Sequence, residues 1–183
     1  MIFEKLCIEA FDERNISKDI HEMNDHIKSL LVNAPPSHEI PFEVLQEIRR
    51  KGGGLLESQP YSEKAENRLI NNDNKKVTIR IFNHDSPNFV YLHIHGGGHC
   101  IGAADMQDQS LEKISNDLNC VVVSVEYRLA PENPYPAAPD DCEAAAIWLI
   151  ENSKSQFNTE KIVIGGESAG ANLSAVTLQR LKS

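Results

Sequence analysis

The sequence predicts an α/β fold, in which a mixed, mostly parallel sheet has helices on both faces, and three observations support this fold class. Strand-like and helix-like segments alternate from residue 89 onward. Residues 120–125 form a short run that is apolar on both faces, which is typical of a central strand in a covered parallel sheet. A glycine-flanked serine, Ser168, lies between a strand-like run and a helix-like run.

Residues 1–60 differ from the rest of the chain and predict two helices. Ser17 can cap the first helix and Pro35 ends it, and the second is predicted over residues 41–51, with glycines at 52–54 beyond its end. We expect this segment to be a helical cap or lid over a site, or alternatively a plain packing arm. The apolar residues at helical spacing in the first helix are Ile16, Ile20, Met23, Ile27, Leu30 and Leu31.

Residues 61–183 carry the elements of the predicted core. Two strands within residues 66–83 flank a turn-rich cluster at 71–74. Later helices are indicated by apolar residues at helical spacing and by aspartates at a helix start, where the dipole favours negative charge. The later elements are a strand over 89–95, a helix marked by Leu111, Ile114 and Leu118, a strand over 120–125, a helix over 140–150, a strand over 162–164 and a helix over 169–181.

Composition limits the kind of partner. The chain has 183 residues, which suits one domain with a small extension, and a formal net charge of -9. This charge disfavours binding to nucleic acid or to an anionic membrane surface. No apolar stretch approaches the roughly 20 residues of a membrane span. The N-terminus does not resemble a signal peptide, and the four cysteines are far apart, so we expect reduced thiols in a cytoplasmic protein. The cysteines are Cys7, Cys100, Cys120 and Cys142.

Two glycine-rich motifs follow predicted strands and can carry chemistry. The run His95–Gly98 (HGGG) allows backbone N–H groups to turn toward one point, where they can stabilise an oxyanion. The run Gly166–Gly170 (GESAG) has the pattern and the strand–helix context of a nucleophile elbow, with Ser168 as the nucleophile. Each motif alone is weak evidence, but the glycine loop precedes the serine, as an acyl-transfer site on this kind of sheet requires.

Other polar residues near these motifs favour structural roles. Arg128 and Glu132 lie in a turn after the strand over 120–125, and we expect the backbone or each other to satisfy their charges. Glu167 adjoins the serine, so it cannot act as a triad acid behind an orienting histidine. His93 is interpreted as a satisfied, partly buried histidine, and His99 as a residue that lines the pocket. The histidines, cysteines and carboxylates have no metal-ligand spacing, and no metal or cofactor is predicted.

These motifs are similar to those of the hormone-sensitive-lipase-like esterases of the α/β-hydrolase superfamily. The resemblance covers residues 61–183 and implies the N-terminal part of an α/β-hydrolase fold, with residues 1–60 at the place of the family's helical cap. It rests on His95–Gly98, Tyr127–Glu132, Pro136–Ala138 and Gly166–Gly170.

By this resemblance, the chain is a carboxylic ester hydrolase with Ser168 as its nucleophile, acting on short-acyl esters. The resemblance implies that Gly97, Gly98 and Ala169 supply the N–H groups of the oxyanion hole. It also makes His95 a residue that orients the glycine loop. The remaining residues of the structural motif are Gly96, Gly166, Glu167 and Gly170.

The family has an Asp or Glu and then a His after the serine, but residues 169–183 contain none of these. We therefore expect a chain truncated after the elbow and catalytically incomplete or inactive in this form. The alternatives are a non-catalytic module that binds a small molecule, or a remnant. The strand over 162–164 would become an open sheet edge. We expect a second copy, a partner or a missing C-terminal part to cover it, while the predicted small-molecule partner is an ester.

Overall fold

The computed structural model describes residues 12–32, 34–51, 60–72 and 75–182. The predicted alternation of strands and helices after residue 89 is confirmed. The helices are α1 (Lys18–Leu31), α2 (Phe42–Lys51), α3 (Asp108–Leu118), α4 (Ala137–Phe157) and α5 (Ala169–Arg180). The strands are β1 (Glu66–Asn72), β2 (Lys75–Phe82), β3 (Val90–Ile94), β4 (Val121–Glu126) and β5 (Ile162–Gly166).

The five strands form one mixed sheet with the order β1-β2-β4-β3-β5. β2 is antiparallel to both β1 and β4, whereas β3 is parallel to β4 on one side and to β5 on the other. The predicted mixed sheet is therefore confirmed, with the antiparallel part at its N-terminal edge. β5 has one strand neighbour among the described residues, so it lies at the opposite edge, and its Val163 is 50% exposed.

The position of strand β4 between two apolar clusters explains why its valines lie on both faces. Side chains alternate along a strand, so Val121, Val123 and Val125 share one face and Val122 lies on the other. The first face belongs to the main core, which also contains residues of α4 and α5. Val122 packs in a second cluster with Leu111 of α3. Helices therefore cover both faces of the sheet, as predicted.

A buried ion pair on the α3 side was not predicted from the sequence. Arg80 of β2 is 1% exposed and binds Asp108 at the start of α3 through two hydrogen bonds, of 2.7 and 2.5 Å. Its other N–H groups donate to the Tyr61 hydroxyl, the Asn67 side chain and the Ser62 carbonyl. Burial of a guanidinium is costly unless its donors are satisfied, and here each nitrogen has an acceptor. The pair fastens α3 to the sheet.

Helix α4 is longer than the prediction of residues 140–150. It begins at Ala137, directly after Pro136, and ends where Asn158 takes a left-handed conformation with φ 56°. Proline is tolerated at a helix start because its missing N–H has no partner in the first turn. Asp140 still lies in the first turn of the longer helix. The helix boundaries were therefore wrong by several residues, although the element itself is confirmed.

The N-terminal helices form where the sequence predicts them, but α1 is not packed. Ser17 is at the N-cap of α1 without a side-chain capping hydrogen bond, and no residue of α1 is buried. Gln46 of α2 donates a 3.4 Å hydrogen bond to the Cys100 carbonyl beside the glycine loop. The role of residues 1–60 as a cap or lid stays a prediction. The glycines at 52–54 and Cys7 lie outside the described residues.

None of the helices in the described ranges combines the length and the apolar character that crossing a membrane requires.

Candidate active site

Ser168 occupies the turn that joins β5 to α5. Its backbone has φ 54° and ψ -119°, a conformation that non-glycine residues rarely adopt. The turn is closed by hydrogen bonds from the Gly170 N–H to the Glu167 carbonyl (2.9 Å) and from the Ala171 N–H to the Ser168 carbonyl (3.1 Å). Such strain is often found at functional sites, where the surrounding structure holds it. The Ser168 residue is exposed.

The two outer glycines of the GESAG motif are required by close packing against β3. A Cβ placed on Gly166 would lie 2.0 Å from the Ile94 carbonyl oxygen, and one on Gly170 would lie 1.9 Å from the same atom. Real Cβ atoms do not approach backbone oxygens so closely. The absence of both side chains therefore lets the turn press onto the carboxyl end of β3, where the HGGG motif begins.

The glycine loop after β3 meets the serine turn directly. A Cβ placed on Gly96 would lie 3.3 Å from the Ser168 Cβ and 2.9 Å from the Glu167 carbonyl oxygen. Gly97 and Gly98 have φ angles of 122° and 61°, and His99 follows with φ 63°. The structure therefore brings together the two motifs that the sequence singled out, although 71 positions separate Gly96 from Glu167.

Three backbone N–H groups at this junction are free of protein acceptors. Within the described part of the chain, the N–H groups of Gly97, Gly98 and Ala169 donate to no protein atom. Ala169 is the first residue of α5, where helix N–H groups lack intrahelical partners and the helix dipole favours negative charge. These are the three amides that the resemblance assigns to an oxyanion hole. N–H groups without a protein acceptor are able to donate to an anionic oxygen.

His95 braces the glycine loop. It is 3% exposed, and its Nδ1 lies 2.8 Å from the Gly96 carbonyl oxygen, which can only accept, so Nδ1 carries the proton. Its ring stacks on Tyr127 with centroids 4.1 Å apart, and the Tyr127 hydroxyl donates to the His95 carbonyl at 2.8 Å. Burial raises the pKa of Tyr127, so this hydroxyl stays protonated as a donor.

Glu167 has more partners than the sequence suggested. Its Oε1 accepts hydrogen bonds from the Gly96 N–H and from Gln107 Nε2, each at 2.5 Å. Its Oε2 lies 3.1 Å from His93 Nε2. Partial burial raises the pKa of Glu167, but the hydrogen bonds from His93 and from the Gly96 N–H outweigh it and lower the pKa to about 2. The carboxylate is therefore ionised near neutral pH.

The contact between Glu167 and His93 was not predicted from the sequence. It does not create a catalytic triad, because His93 Nδ1 lies 3.1 Å from the Ser124 hydroxyl and both ring nitrogens are engaged away from Ser168. His93 is satisfied, as predicted, but at 3% exposed it is fully rather than partly buried. Among the described residues, no histidine hydrogen-bonds to Ser168.

Sequence reasoning missed Gln107 and Ser124 as members of this network. Ser124 is a polar residue among the four valines of β4, and its register partner on β3 is His93. An isolated serine in a buried strand is a signal that could have indicated a polar partner on the neighbouring strand. Gln107 had no such signal, because its approach to Glu167 depends on how the chain returns from the glycine loop to α3.

The other charged residues near the site are structural. Arg128 pairs with Asp141 of α4 rather than with Glu132, and its backbone N–H also donates to Asp141 at 2.9 Å. The hydrogen bonds that the Arg128 side chain donates to the Asp141 carboxylate raise the pKa of Arg128. The expectation that the backbone or Glu132 satisfies the charge of Arg128 is wrong, because the Asp141 carboxylate pairs with it.

A polar cavity of about 360 Å³ lies beside β2 and β4, away from Ser168. Arg80, whose nitrogens already have acceptors, forms part of its wall, together with Glu126 and the segment 103–106. In the part of the chain that the structure describes, no group of three His, Cys, Asp or Glu side chains is arranged to hold a metal ion.

A strained serine on a strand–turn–helix, pressed against a glycine loop on a sheet of this topology, defines an α/β-hydrolase type of fold and site. The family model described as the alpha/beta hydrolase fold matches residues 91–183, which is half of the chain. The chain belongs to the alpha/beta hydrolase family.

Relatives with established names are esterases and lipases. The chain is 36% identical over 138 residues to an arylesterase of Saccharolobus solfataricus, which covers 72% of this chain and 45% of the relative. It is 43% identical over 91 residues to the carboxylesterase NlhH of Mycobacterium tuberculosis, which covers 49% of this chain and 28% of the relative. The predicted resemblance to esterases of the α/β-hydrolase superfamily is confirmed.

Solved structures show the same fold. A hyperthermophilic esterase from Pyrobaculum calidifontis matches 91% of this chain with a TM-score of 0.73 and 25% identity, over 54% of its own length. An arylesterase structure matches 88% of this chain with a TM-score of 0.66 and 27% identity, also over 54% of its length. The chain thus spans about half the length, or less, of the proteins it matches.

Proposed function

We propose that this chain provides the nucleophile and the oxyanion hole of a serine carboxylic ester hydrolase that acts on short-acyl esters. The observation that carries the proposal is the junction of the two motifs. Ser168 is held at φ 54° beside the glycine loop, and among the described residues the three amides of Gly97, Gly98 and Ala169 have no protein acceptor. The proposal has these N–H groups donate to the oxygen of the ester that the Ser168 hydroxyl attacks, as acyl transfer requires.

The proposed reaction has two steps. The Ser168 oxygen attacks the ester carbonyl carbon, and the carbonyl oxygen becomes an oxyanion held by the three amides. Collapse of this intermediate breaks the bond to the alcohol, which leaves with a proton, and an acyl-serine remains. Water then attacks the acyl-serine, and the acid is released as the serine regains its proton. Each oxyanion-hole donor is typically worth about 3–4 kcal/mol of transition-state stabilisation.

Proton transfer needs a base that the described residues do not place at Ser168. His93 is committed to Glu167 and Ser124, and His95 to the Gly96 carbonyl. Residues 169–183 contain no Asp, Glu or His. We therefore expect only residual hydrolysis from this chain by itself, because an oxyanion hole without a triad base retains a small fraction of the activity. Full activity would require a base supplied from outside the described residues.

The first experiment measures p-nitrophenyl acetate hydrolysis by the 183-residue chain and its Ser168→Ala variant. The proposal predicts a slow release of nitrophenolate that Ser168→Ala removes, together with an acetyl adduct on Ser168 seen by intact-protein and peptide mass spectrometry. Equal rates for the chain and Ser168→Ala would refute the proposal.

The alternative function is binding of a small molecule without cleavage. It is favoured by one observation: among the described residues, no histidine hydrogen-bonds to Ser168. A fluorophosphonate probe distinguishes the two, because it reacts with activated serines. Binding of a non-hydrolysable ester analogue without any Ser168 adduct, even over many hours, would favour the binding module.

We also propose that the protein works in the cytoplasm on a small-molecule ester. Cys100, Cys120 and Cys142 are free thiols in the described part of the chain, which suits a reducing compartment. Fractionation of source cells, followed by immunodetection, tests this location. Recovery in a secreted or envelope fraction would contradict it.

A further inference from the structure

One carboxylate joins the two motifs that form the candidate site. Glu167 belongs to the serine turn, and its Oε1 accepts the Gly96 N–H of the glycine loop at 2.5 Å. Gln107, which precedes α3, donates to the same oxygen at 2.5 Å, and His93 of β3 lies 3.1 Å from Oε2. Glu167 therefore connects the turn to three segments that are distant in sequence.

The backbone N–H and the backbone carbonyl of Gly96 are both hydrogen-bonded. Its N–H donates to Glu167, and its carbonyl oxygen accepts from His95 Nδ1 at 2.8 Å. The next two residues, Gly97 and Gly98, have positive φ, and their N–H groups have no acceptor in the part of the protein that the structure describes. Glycine backbones are conformationally permissive, so the direction of these two N–H groups depends on how firmly the loop is anchored at Gly96.

The partners of Glu167 are themselves supported. An ionised carboxylate only accepts hydrogen bonds, so the facing His93 Nε2 carries a proton. In the neutral ring His93 Nδ1 then accepts from the Ser124 hydroxyl, at 3.1 Å, on the neighbouring strand β4. The carboxylate is thus braced against the centre of the sheet. Because Ser168 is the next residue, the same brace holds the backbone that carries the nucleophile.

We propose that Glu167 is a positioning residue that locks the glycine loop to the serine turn, so that the oxyanion donors and the nucleophile stay in register. The catalytic role of Glu167 rests on the proposed function, whereas the hydrogen-bonded connection between the loop and the turn is a property of the fold. Glu167 acts through Gly96 and does not touch the ester.

The lock is tested by amide hydrogen exchange of the 183-residue chain, followed residue by residue by NMR. Glu167→Ala removes the acceptor, and the Gly96 amide should exchange about tenfold faster, because the loss of one hydrogen bond changes an opening equilibrium by roughly this factor. The matched control is Glu112→Ala. Glu112 also accepts from two side chains, Ser62 at 2.8 Å and Lys64 at 2.5 Å, but it lies on α3. Its loss should leave Gly96 exchange unchanged.

Two milder variants keep the test decisive if Glu167→Ala does not fold. Glu167→Gln keeps one acceptor oxygen but presents an amide N–H₂ to His93 or to Gly96, so the increase in Gly96 exchange should be smaller. Gln107→Ala leaves the carboxylate in place and should have the smallest effect. Gly96 exchange at the wild-type rate in a folded Glu167→Ala protein, or in both milder variants, would overturn the proposal.

Ser168→Ala separates this proposal from the proposed function. It removes the hydroxyl but leaves every contact of Glu167, so acylation should disappear while Gly96 exchange stays at the wild-type rate. Failure of the chain to hydrolyse esters therefore leaves the exchange test intact. If the chain hydrolyses an ester at a measurable rate, Glu167→Gln should lower kcat while KM changes little. The reason is that the variant weakens the positioning of the oxyanion donors, which act on the transition state. A change in KM alone would contradict positioning.

Discussion

Helices α1 and α4 each carry five large apolar residues, but in α1 they recur at regular helical spacing, whereas α4 is also rich in alanine. No residue of α1 is buried, and Ile20, Met23 and Leu31 are at least half exposed. α4, in contrast, buries 11 of its residues and contacts four strands of the sheet. The difference shows that amphipathic spacing predicts where a helix forms, while burial depends on whether the topology places another surface opposite it.

The alanines of α4 explain its close fit. Ala144, Ala145 and Ala146 are 1–4% exposed, and small side chains let a helix approach a sheet closely. The same principle operates at the serine turn, where Gly166 and Gly170 allow α5 and its turn to touch the end of β3. Among the described elements, the serine turn therefore packs on β3 without room for a Cβ, whereas α1 has no buried residue.

The largest effect is expected where the packing is tightest. Gly170→Ala would place a methyl group 1.9 Å from the Ile94 carbonyl oxygen, and we expect the free energy of unfolding to fall by more than about 3 kcal/mol. Urea denaturation measures this quantity. Gly98→Ala is the control: no atom lies within 4 Å of its new methyl group, and only the strain of φ +61° remains, at about 1 kcal/mol. Equal losses for the two variants would show that contact at β3 is unimportant.

The second-largest effect is the difference in free energy of unfolding between a leucine variant in α4 and one in α1. Leu149 of α4 is 0% exposed, so Leu149→Ala should reduce the free energy of unfolding by about 3 kcal/mol through lost burial and a cavity. Leu30 of α1 is 43% exposed, and Leu30→Ala should change it by about 0.5 kcal/mol or less. Thermal and urea unfolding of both variants check the contrast. A loss at Leu30 as large as that at Leu149 would mean that α1 is packed in solution.

A smaller, pH-dependent effect is expected at Glu167. Its pKa is lowered from 4.5 to about 2 in the folded protein, so its ionised form contributes stability that is present above about pH 4.5. That contribution is lost as the pH falls from about 4.5 toward 2. Glu167→Gln lacks it, so the stability advantage of the wild type over the variant should shrink as acid is added. An advantage that stays constant between pH 6 and pH 3 would exclude a depressed pKa.

The smallest effect is expected on self-association, for which two exposed apolar surfaces are candidates: the strand edge at β5 and the apolar residues of α1. Unpaired strand edges favour association with another chain, whereas a helix face exposes no free backbone groups. We expect self-association that increases with concentration and that Val163→Lys weakens, while Met23→Lys, on α1, has little effect. Sedimentation velocity over a range of concentrations measures this. A monomer at every concentration would count against a second copy at the β5 edge.

Much of the core could be predicted from the sequence because its signals are local. The apolar run of β4, the hairpin of β1 and β2 and the helical spacing of α3 each reflect one element and its immediate environment. The helix α4 was predicted too short because its ends depend on Pro136 and on the left-handed Asn158, whose effects are seen only in the folded chain.

The candidate site was predicted in part. The sequence predicts that the two motifs form one site because each follows a predicted strand and the glycine loop precedes the serine. The contacts of Glu167 with His93 and Gln107 could not be predicted, since they depend on the order of strands β4, β3 and β5 and on the path of the chain between the glycine loop and α3.

The sequence by itself determined which segments form strands and helices and which glycines flank the serine, because these follow from side-chain periodicity and from the size of single residues. Only the tertiary structure decided that Arg80 would be buried against Asp108, that α1 would keep its apolar face exposed, and that Glu167 would bridge the two motifs. Each of these outcomes depends on surfaces brought together from distant parts of the chain. Burial and hydrogen bonding between such surfaces are properties of the whole packing arrangement rather than of any local run of residues.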